Sequence, residues 1–333
     1  MSSTTEQIGS GPPPSLQPPG SGIAGPPVRL GDRIFRGLSA TSGTLILVVM
    51  AAIAVFLIYR SVPALQANTA NFFTTKTWFP DNTPAVFGIA ALAWGTVLSS
   101  VIALVIAVPV SLGIALFIAH YAPRRIASGL GYLVDLLAAV PSVVYGLWGR
   151  AFLVPHMVGL SSWLDHYFGW IPIFHAPGSS YRNTMFNTGV VLAVMILPII
   201  SAVSREVFLQ VPRAHVEAAL AIGATRWEVM RLSVLPFGRS GIISASMLGL
   251  GRALGETVAV ALVLSTSYTV SGHILVPGGN TFAANIALQF GFAGSVGIDA
   301  LIASGLVLFV ITLAVNMAAR LIIARRRDFS GAN

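Results

Sequence analysis

The sequence predicts an all-α, polytopic membrane protein with about six transmembrane helices. Apolar residues make up 55% of the chain and charged residues only 9%, a composition typical of integral membrane proteins. One bilayer crossing needs about 20 predominantly apolar residues. Six segments reach that length: residues 38–59, 87–119, 130–156, 186–204, 238–268 and 298–323. Because several of them exceed one crossing, we expect tilting, interfacial extension, or helix breaks at Pro109 and Pro141.

The positions of arginine and lysine predict the orientation of these helices. Positive charge near the ends of membrane helices is retained in the cytoplasm, and placing both termini there puts most arginines on that side. Only Arg60, Lys76 and Arg182 then lie outside, while Arg150 and Arg252 fall within predicted helices. The formal net charge of +8 is therefore explained by topology. We expect the lipid bilayer as a partner and no nucleic acid.

Composition divides the chain into four parts. Residues 1–28 are rich in Pro, Gly and Ser and are predicted to form a disordered cytoplasmic tail, since they neither form a helix nor bury an apolar face. Residues 29–85 contain the first transmembrane helix and an outer loop. Residues 86–324 form the main transmembrane domain, which includes a polar cytoplasmic hairpin at 211–236. A basic cytoplasmic tail follows at 325–333.

Signatures of catalysis are missing from the sequence. The chain has no cysteine, which excludes disulfides, thiolate metal sites and cysteine nucleophiles. It contains neither a Gly-rich phosphate loop ending in Gly-Lys-Ser/Thr nor a His-Glu-x-x-His motif. We therefore expect a non-catalytic membrane subunit with no metal and no cofactor, driven by an ion gradient or by a separate protein.

The hairpin at 211–236 is predicted to be a coupling element that docks onto a partner outside the membrane. Its characteristic residues are one acid, three small residues and a Leu-Pro pair: Glu217, Ala218, Ala219, Gly223, Leu235 and Pro236. Gly223 permits a tight turn between two short helices. The second helix is predicted to carry an apolar face made of Trp227, Val229, Met230 and Leu232. The alternative is an amphipathic hairpin that lies on the lipid surface.

This hairpin resembles the EAA loop by which permease subunits of ATP-binding-cassette (ABC) importers contact their ATPase. The resemblance covers about residues 86–324 and implies the type I importer permease fold, also called MetI-like. Two further runs, at residues 139–149 and 248–257, resemble signatures of phosphate-specific permeases of the PstC type. The resemblance implies a second homologous permease, two ATPase subunits that use the ATP, and an extracytoplasmic phosphate-binding protein. It also implies the plasma or inner membrane of a bacterium or archaeon.

Arg252 and Glu256 are the main candidates for the substrate pathway. They are four residues apart, so a continuous helix places them on one face, and charges inside a membrane mark functional sites. Arg252 offers a planar fork of donors to an oxyanion. Glu256 is expected to pair with it in the empty pathway and to accept a proton from hydrogenphosphate; the alternative is a structural ion pair. Arg150, Pro141 and Ser142 are further candidates, because a proline allows a helix break near the pathway.

Three other charges lie near predicted helix ends. Arg205 and Glu206 directly precede the hairpin and are predicted to anchor it at the membrane surface. Asp135 lies on the third predicted helix, where we expect it to bind Arg150 or Arg125.

Together these observations predict the permease subunit of an ATP-driven phosphate importer. Within the same class, the alternatives are a permease for another oxyanion and the companion PstA-type phosphate permease. Outside it, the alternatives are an ion-coupled secondary transporter and a membrane sensor or scaffold that reports phosphate status. An ion-coupled transporter usually shows an inverted internal repeat and more buried acids, and no such repeat is visible in the sequence.

Overall fold

The computed structural model describes residues 30–324, and the two predicted tails lie outside this range. Within it the chain forms helices α1 (Leu30–Ala67), α2 (Ala90–Leu116), α3 (Arg124–Ala138), α4 (Ser142–Trp148), α5 (Val154–Phe168), α6 (Met185–Leu209), α7 (Arg213–Ala221), α8 (Arg226–Val229), α9 (Leu235–Leu254), α10 (Val258–Val263), α11 (Phe282–Gln289) and α12 (Ser295–Ala324). Two short antiparallel strands, β1 (Trp78–Phe79) and β2 (Val86–Phe87), are the only strands in the described range. The predicted all-α class is confirmed.

The chain separates into two units at Ile53. In the described range, the first unit consists of the N-terminal part of α1. The second unit begins at Ala54 and contains the rest of α1 and all later elements. Every site described below lies in the second unit.

Five helical stretches are long and apolar enough to cross a membrane. They are Arg33–Ala67, Ala90–Tyr121, Ser142–Phe168, Met185–Leu209 and Ser295–Leu321. Four of the six predicted spans, the first, second, fourth and last, are confirmed in this way. The helix break expected at Pro109 is wrong, since this residue lies inside α2. Prolines are tolerated in membrane helices because neighbouring groups satisfy the freed backbone carbonyl.

The third predicted span, 130–156, is wrong in its boundaries. Helix α3 ends at Ala138, and α4 begins at Ser142 directly after Pro141. Proline lacks the N–H that would continue the helical ladder, and it disfavours helical geometry at the preceding residue. The expected break at Pro141 is therefore confirmed, and the apolar stretch that can cross the membrane begins after it. The apolar side chains of α3 that extended the prediction lie largely on an exposed face.

The fifth predicted span, 238–268, is also wrong, because it is not one helix. Helix α9 ends at Leu254 and α10 begins at Val258, after which the backbone becomes extended at Leu264. Gly255, which follows the end of α9, is a poor helix former. Glu256 then accepts the backbone N–H of Ala259 and so starts a new helix.

Helices α2, α6 and α9 form the centre of the second unit. Leu192, Ile196 and Ile200 of α6 are fully buried against Ala103 of α2 and Ala245 of α9. Small residues let membrane helices approach closely enough for dispersion forces to hold them together. This packing gives α9 a fixed position beside α6, on which the candidate site depends.

A glycine allows α4 and α10 to touch at one point. A Cβ on Gly146 would lie 2.8 Å from the Cα of Ala259. A backbone atom of a packed helix cannot move aside as the end of a long side chain can. Only glycine therefore fits at this position without moving one of the helices.

We expect Gly146→Ala to destabilise the protein by about 1–3 kcal/mol, because the added methyl group overpacks this contact. Thermal unfolding of the purified transporter complex measures the effect. The matched control is Gly113→Ala in α2, where a Cβ would meet nothing within 4 Å. That variant should be neutral or more stable, since alanine favours a helix over glycine by about 0.5–1 kcal/mol. Equal unfolding midpoints for the two variants would contradict the close contact.

Candidate functional site

A cavity of about 740 Å³ lies between α3, α6, α9 and α12. Its lining residues are Ala138, Ile199, Ser244, Met247, Leu248, Gly251, Arg252, Asn316, Ala319 and Arg320. Apolar groups form most of the wall, and its polar side chains are two arginines, an asparagine and a serine. None of the lining residues is acidic. Hydrogen-bond donors and positive charge in an apolar cavity suit a small anion.

Arg252 lies in the last turn of α9 and lines this cavity. Its Nε is buried and has no hydrogen-bond partner among the described residues. A buried donor without a partner costs about 1–3 kcal/mol, and more when it is charged. A ligand that accepts from this guanidinium would remove that cost, so Arg252 stays the main predicted substrate contact.

The predicted pairing of Arg252 with Glu256 is wrong in this structure. The helix that would place both on one face ends before Glu256, and no ion pair joins them in the described range. Glu256 is 7% exposed, and its Oε1 accepts the backbone N–H of Ala259 at 3.0 Å. It therefore caps α10, and it does not line the cavity.

The other predicted pathway residues lie outside the cavity as well. Arg150 is in the π-helical turn Gly149–Leu153, and its Nη1 donates to the carbonyl oxygen of Leu262 at 2.6 Å. A cation is favourable there, because carbonyl groups at a helix C-terminus carry partial negative charge. Pro141 and Ser142 form the start of α4 and do not line the cavity.

Three polar cavity residues, Ser244, Asn316 and Arg320, were missed by sequence reasoning. Asn316 and Arg320 lie four residues apart on α12 and both line the cavity. Arg320 was assigned to the flanking charges that set topology, and Asn316 was not singled out. Their i, i+4 spacing, which puts both on one helix face, is the signal that would have found them.

Arg205 joins α6 to α3. Its Nη2 lies 3.3 Å from Oδ2 of Asp135 and 2.7 Å from Oε1 of Glu206. The expected pairing of Asp135 with Arg150 or Arg125 is therefore wrong. The last residue of α3 lines the cavity, and the hairpin directly follows α6. This ion pair therefore connects the cavity wall with the start of the hairpin.

The hairpin turns at Gly223, as predicted. This glycine has φ +86°, a conformation that other residues rarely adopt. Directly after it, Oγ1 of Thr225 accepts the backbone N–H of Glu228, and Oε2 of Glu228 accepts the backbone N–H of Thr225. The hydrogen bond from the Thr225 backbone holds the pKa of Glu228 below its ordinary value. Glu228 thus stays ionised at neutral pH and completes a capping box for α8.

Only half of the apolar residues predicted for the second hairpin helix are buried. Val229 and Met230 are buried against the ends of α2 and α6, whereas Trp227 and Leu232 are exposed. Glu217 and Ala218 on α7 are also exposed, and Ala219 is half-buried. Leu220, Ile222 and Trp227, which we call the hairpin tip, are 47%, 85% and 61% exposed. The hairpin is therefore anchored by its inner side and presents an apolar tip.

Leu235 and Pro236 continue the chain as helix. From Arg226 to Leu254 the backbone stays helical, passing through a π-helical turn at Met230–Val234 into α9. Proline is acceptable at this position because the wider turn relieves the i to i−4 hydrogen bond that its ring would disrupt. The hairpin and Arg252 thus belong to one helical rod.

A polytopic helical bundle with a cationic cavity and an anchored, partly exposed hairpin fits the membrane component of a transport system. Residues 111–328 match the family described as binding-protein-dependent transport system inner membrane component. The chain belongs to this family.

Similar proteins cover nearly the whole chain. A Mycobacterium tuberculosis protein called phosphate transport system permease protein PstC 2 is 48% identical over 300 residues, which are 89% of this chain and 93% of that protein. The Mycobacterium leprae protein called PstC is 46% identical over 297 residues, 87% of this chain and 92% of that one.

Among solved structures, the chain resembles a bacterial ABC transporter involved in the import of the acidic polysaccharide alginate. The TM-score is 0.53 at 16% sequence identity, and the match covers 89% of this chain and 99% of that chain. This likeness shows the fold alone, and the predicted ABC importer permease fold is confirmed.

We expect Glu256→Gln to leave stability nearly unchanged, because an amide oxygen still accepts the N–H of Ala259. Glu256→Ala removes the cap and should lower stability by about 0.5–2 kcal/mol. Thermal unfolding of the purified complex compares the two variants. An equal loss in both would show that the negative charge of Glu256, and not its acceptor oxygen, is what the fold requires.

Proposed function

We propose that this chain is the permease subunit of an ATP-driven importer of inorganic phosphate and that it forms part of the translocation pathway. The observation that carries the proposal is the buried, unpartnered Nε of Arg252 beside a cavity without acidic lining. Relatives that are 46–48% identical are named as phosphate transport permeases. A guanidinium fork matches the geometry of phosphate oxygens.

The proposed complex contains a second homologous permease, two ABC ATPase subunits and an extracytoplasmic phosphate-binding protein. Asn316 and Arg320 of α12 are exposed in the single chain although they line the cavity. A second permease would close that side and complete the pathway. The exposed hairpin tip supports an ATPase as the partner, because three neighbouring large apolar side chains exposed together are typical of a protein-binding surface.

The proposed orientation places both termini and the hairpin in the cytoplasm of a bacterium, with the chain in the plasma membrane. The ATPase partner needs ATP on the side that the hairpin faces, and the flanking arginines favour the same side. ATP hydrolysis belongs to the partner in this arrangement, and the permease needs no cofactor.

The helical rod from Arg226 to Leu254 suggests how the hairpin transmits motion. Val229, Met230 and Val234 are packed against Phe208 and Val211 at the end of α6. Displacement of the hairpin by the ATPases would therefore move α9 and α6 together, since packed interiors transmit strain. Arg252 lies in the last turn of the rod, so the same displacement changes the cavity wall.

The anion preference is tested by uptake of labelled phosphate and sulfate into vesicles that contain the assembled transporter. We expect ATP-dependent, phosphate-selective uptake that falls about 10-fold or more in Arg252→Gln, because a hydrogen bond to a charged group contributes about 1.5–3 kcal/mol. The matched control is Arg239→Gln, an exposed arginine of α9 that does not line the cavity. Sulfate uptake in place of phosphate would support the other-oxyanion alternative, and unchanged uptake in Arg252→Gln would exclude this residue from the pathway.

The coupling role is tested at the hairpin tip. Trp227→Ala should weaken copurification of the ATPase and reduce transport, because large buried aromatic residues dominate the energy of protein interfaces. Phe73→Ala, at an aromatic residue of similar exposure, 69%, outside the hairpin, is the control. A transporter that keeps its ATPase and its uptake in Trp227→Ala would show that the tip lies on lipid instead.

A further inference from the structure

We propose that Asn316 and Arg320 of α12 form a second arm of the anion site, so that the cavity holds a divalent tetrahedral oxyanion by two guanidinium groups. The choice of phosphate as this anion rests on the proposed function. The two-armed site itself rests on the cavity.

The polar residues of the cavity come from two helices. The cavity receives Arg252 and Ser244 from α9, and Asn316 and Arg320 from α12. Arg320 forms no ion pair with any residue in the described range, and the same holds for Arg252. Two guanidinium groups therefore share one cavity without an acidic neighbour in its lining.

The charges of the two guanidinium groups favour a divalent anion. Arg320 is exposed in the single chain, but once a second permease covers that side, like charges in the shared cavity repel each other more strongly than in water. An anion between them replaces this repulsion by attraction, and a dianion gains from both arms. A single arginine would serve a monoanion nearly as well, so the second cation indicates a divalent ligand.

Two neutral side chains of the cavity, Ser244 and Asn316, offer acceptors for an O–H group of the anion. Oγ of Ser244 donates to the carbonyl oxygen of Ser240 at 2.9 Å, which leaves its lone pairs for the cavity. The amide of Asn316 offers both a donor and an acceptor. Hydrogenphosphate carries one O–H group and needs an acceptor for it, whereas sulfate has none. With Glu256 outside the cavity, Asn316 and Ser244 are the neutral side chains in its lining that accept this proton's hydrogen bond.

The absence of cysteine in the chain permits a direct test. In the complete transporter with cysteine-free partners, Met247→Cys places one thiol in the cavity wall, and Arg239→Cys places one at an exposed position of the same helix that does not line the cavity. Maleimide labelling is timed in phosphate, sulfate or chloride at equal ionic strength. We expect phosphate to slow labelling at position 247 several-fold relative to chloride, with no effect at position 239.

Second substitutions then examine the α12 arm. Arg320→Gln should raise the phosphate concentration needed for protection about 10-fold, whereas Arg320→Lys, which keeps the charge, should raise it less. Asn316→Leu should weaken protection by phosphate more than protection by sulfate. Arg239→Gln should leave protection unchanged. A structural role for Arg320 would alter labelling in chloride and phosphate alike, without changing the protection by phosphate.

A failure of the second arm and a failure of the proposed phosphate transport give different results. If the parent transports phosphate and Arg320→Gln keeps full protection, the second arm is disproved while the proposed function stands. If phosphate never protects position 247 in a transporter that takes it up, the cavity is not the binding site. If the vesicles take up no phosphate but sulfate protects with the same dependence on Arg320, the proposed function fails and the two-armed site remains.

Discussion

The candidate site depends on one hydrogen bond, from the backbone N–H of Ala259 to the carboxylate of Glu256. Backbone groups among apolar helices have little water to bind, so a chain that leaves its helix there needs an internal partner. Glu256 supplies that partner at the start of α10. Because its carboxylate is used in this way, Arg252 is left without an internal counter-ion and remains available to a ligand. The break also places Arg252 in the last turn of α9, at the cavity.

The same helix connects this site to the exposed hairpin tip. From Arg226 the backbone stays helical to Leu254, and the π-helical turn at Met230–Val234 absorbs Pro236 without interrupting it. On the other side of the cavity, Arg205 ties α6 to Asp135 of α3, whose last residue lines the cavity. The hairpin and the cavity are therefore connected in two ways, along α9 and through the α6–α3 ion pair.

Sequence reasoning predicted the class of fold, four of the six spans, the break at Pro141 and the turn at Gly223, because each follows from local chemistry. Apolar length predicts a span, and proline and glycine act on their own backbone. It failed where two elements meet. The i, i+4 spacing of Arg252 and Glu256 implied a pair only if the helix continued, whereas α9 ends at Leu254 and Glu256 accepts a hydrogen bond from the next helix. The ion pair predicted for Asp135 was wrong because α3 was interpreted as part of a membrane span, whereas Asp135 pairs with Arg205 of α6. Arg320 was interpreted as one of the flanking positive charges that set the orientation, because further arginines follow it in the sequence. Its role in the cavity depends on α9, which is distant in the sequence.

The corrected position of Glu256 changes the chemistry expected of the pathway. An arginine paired with a buried acid would have to exchange that acid for each incoming anion, and breaking such a pair is costly. In the structure the carboxylate is already satisfied by α10, so an anion entering the cavity meets guanidinium groups that have no internal competitor. Arg252 and Arg320 both line this cavity, so in the proposed two-armed site an anion is bound without first displacing an acid. The second helix of the hairpin is continuous with α9, so if displacement of the hairpin changes the affinity of the cavity, occupation of the cavity must change the position of the hairpin by the same free energy.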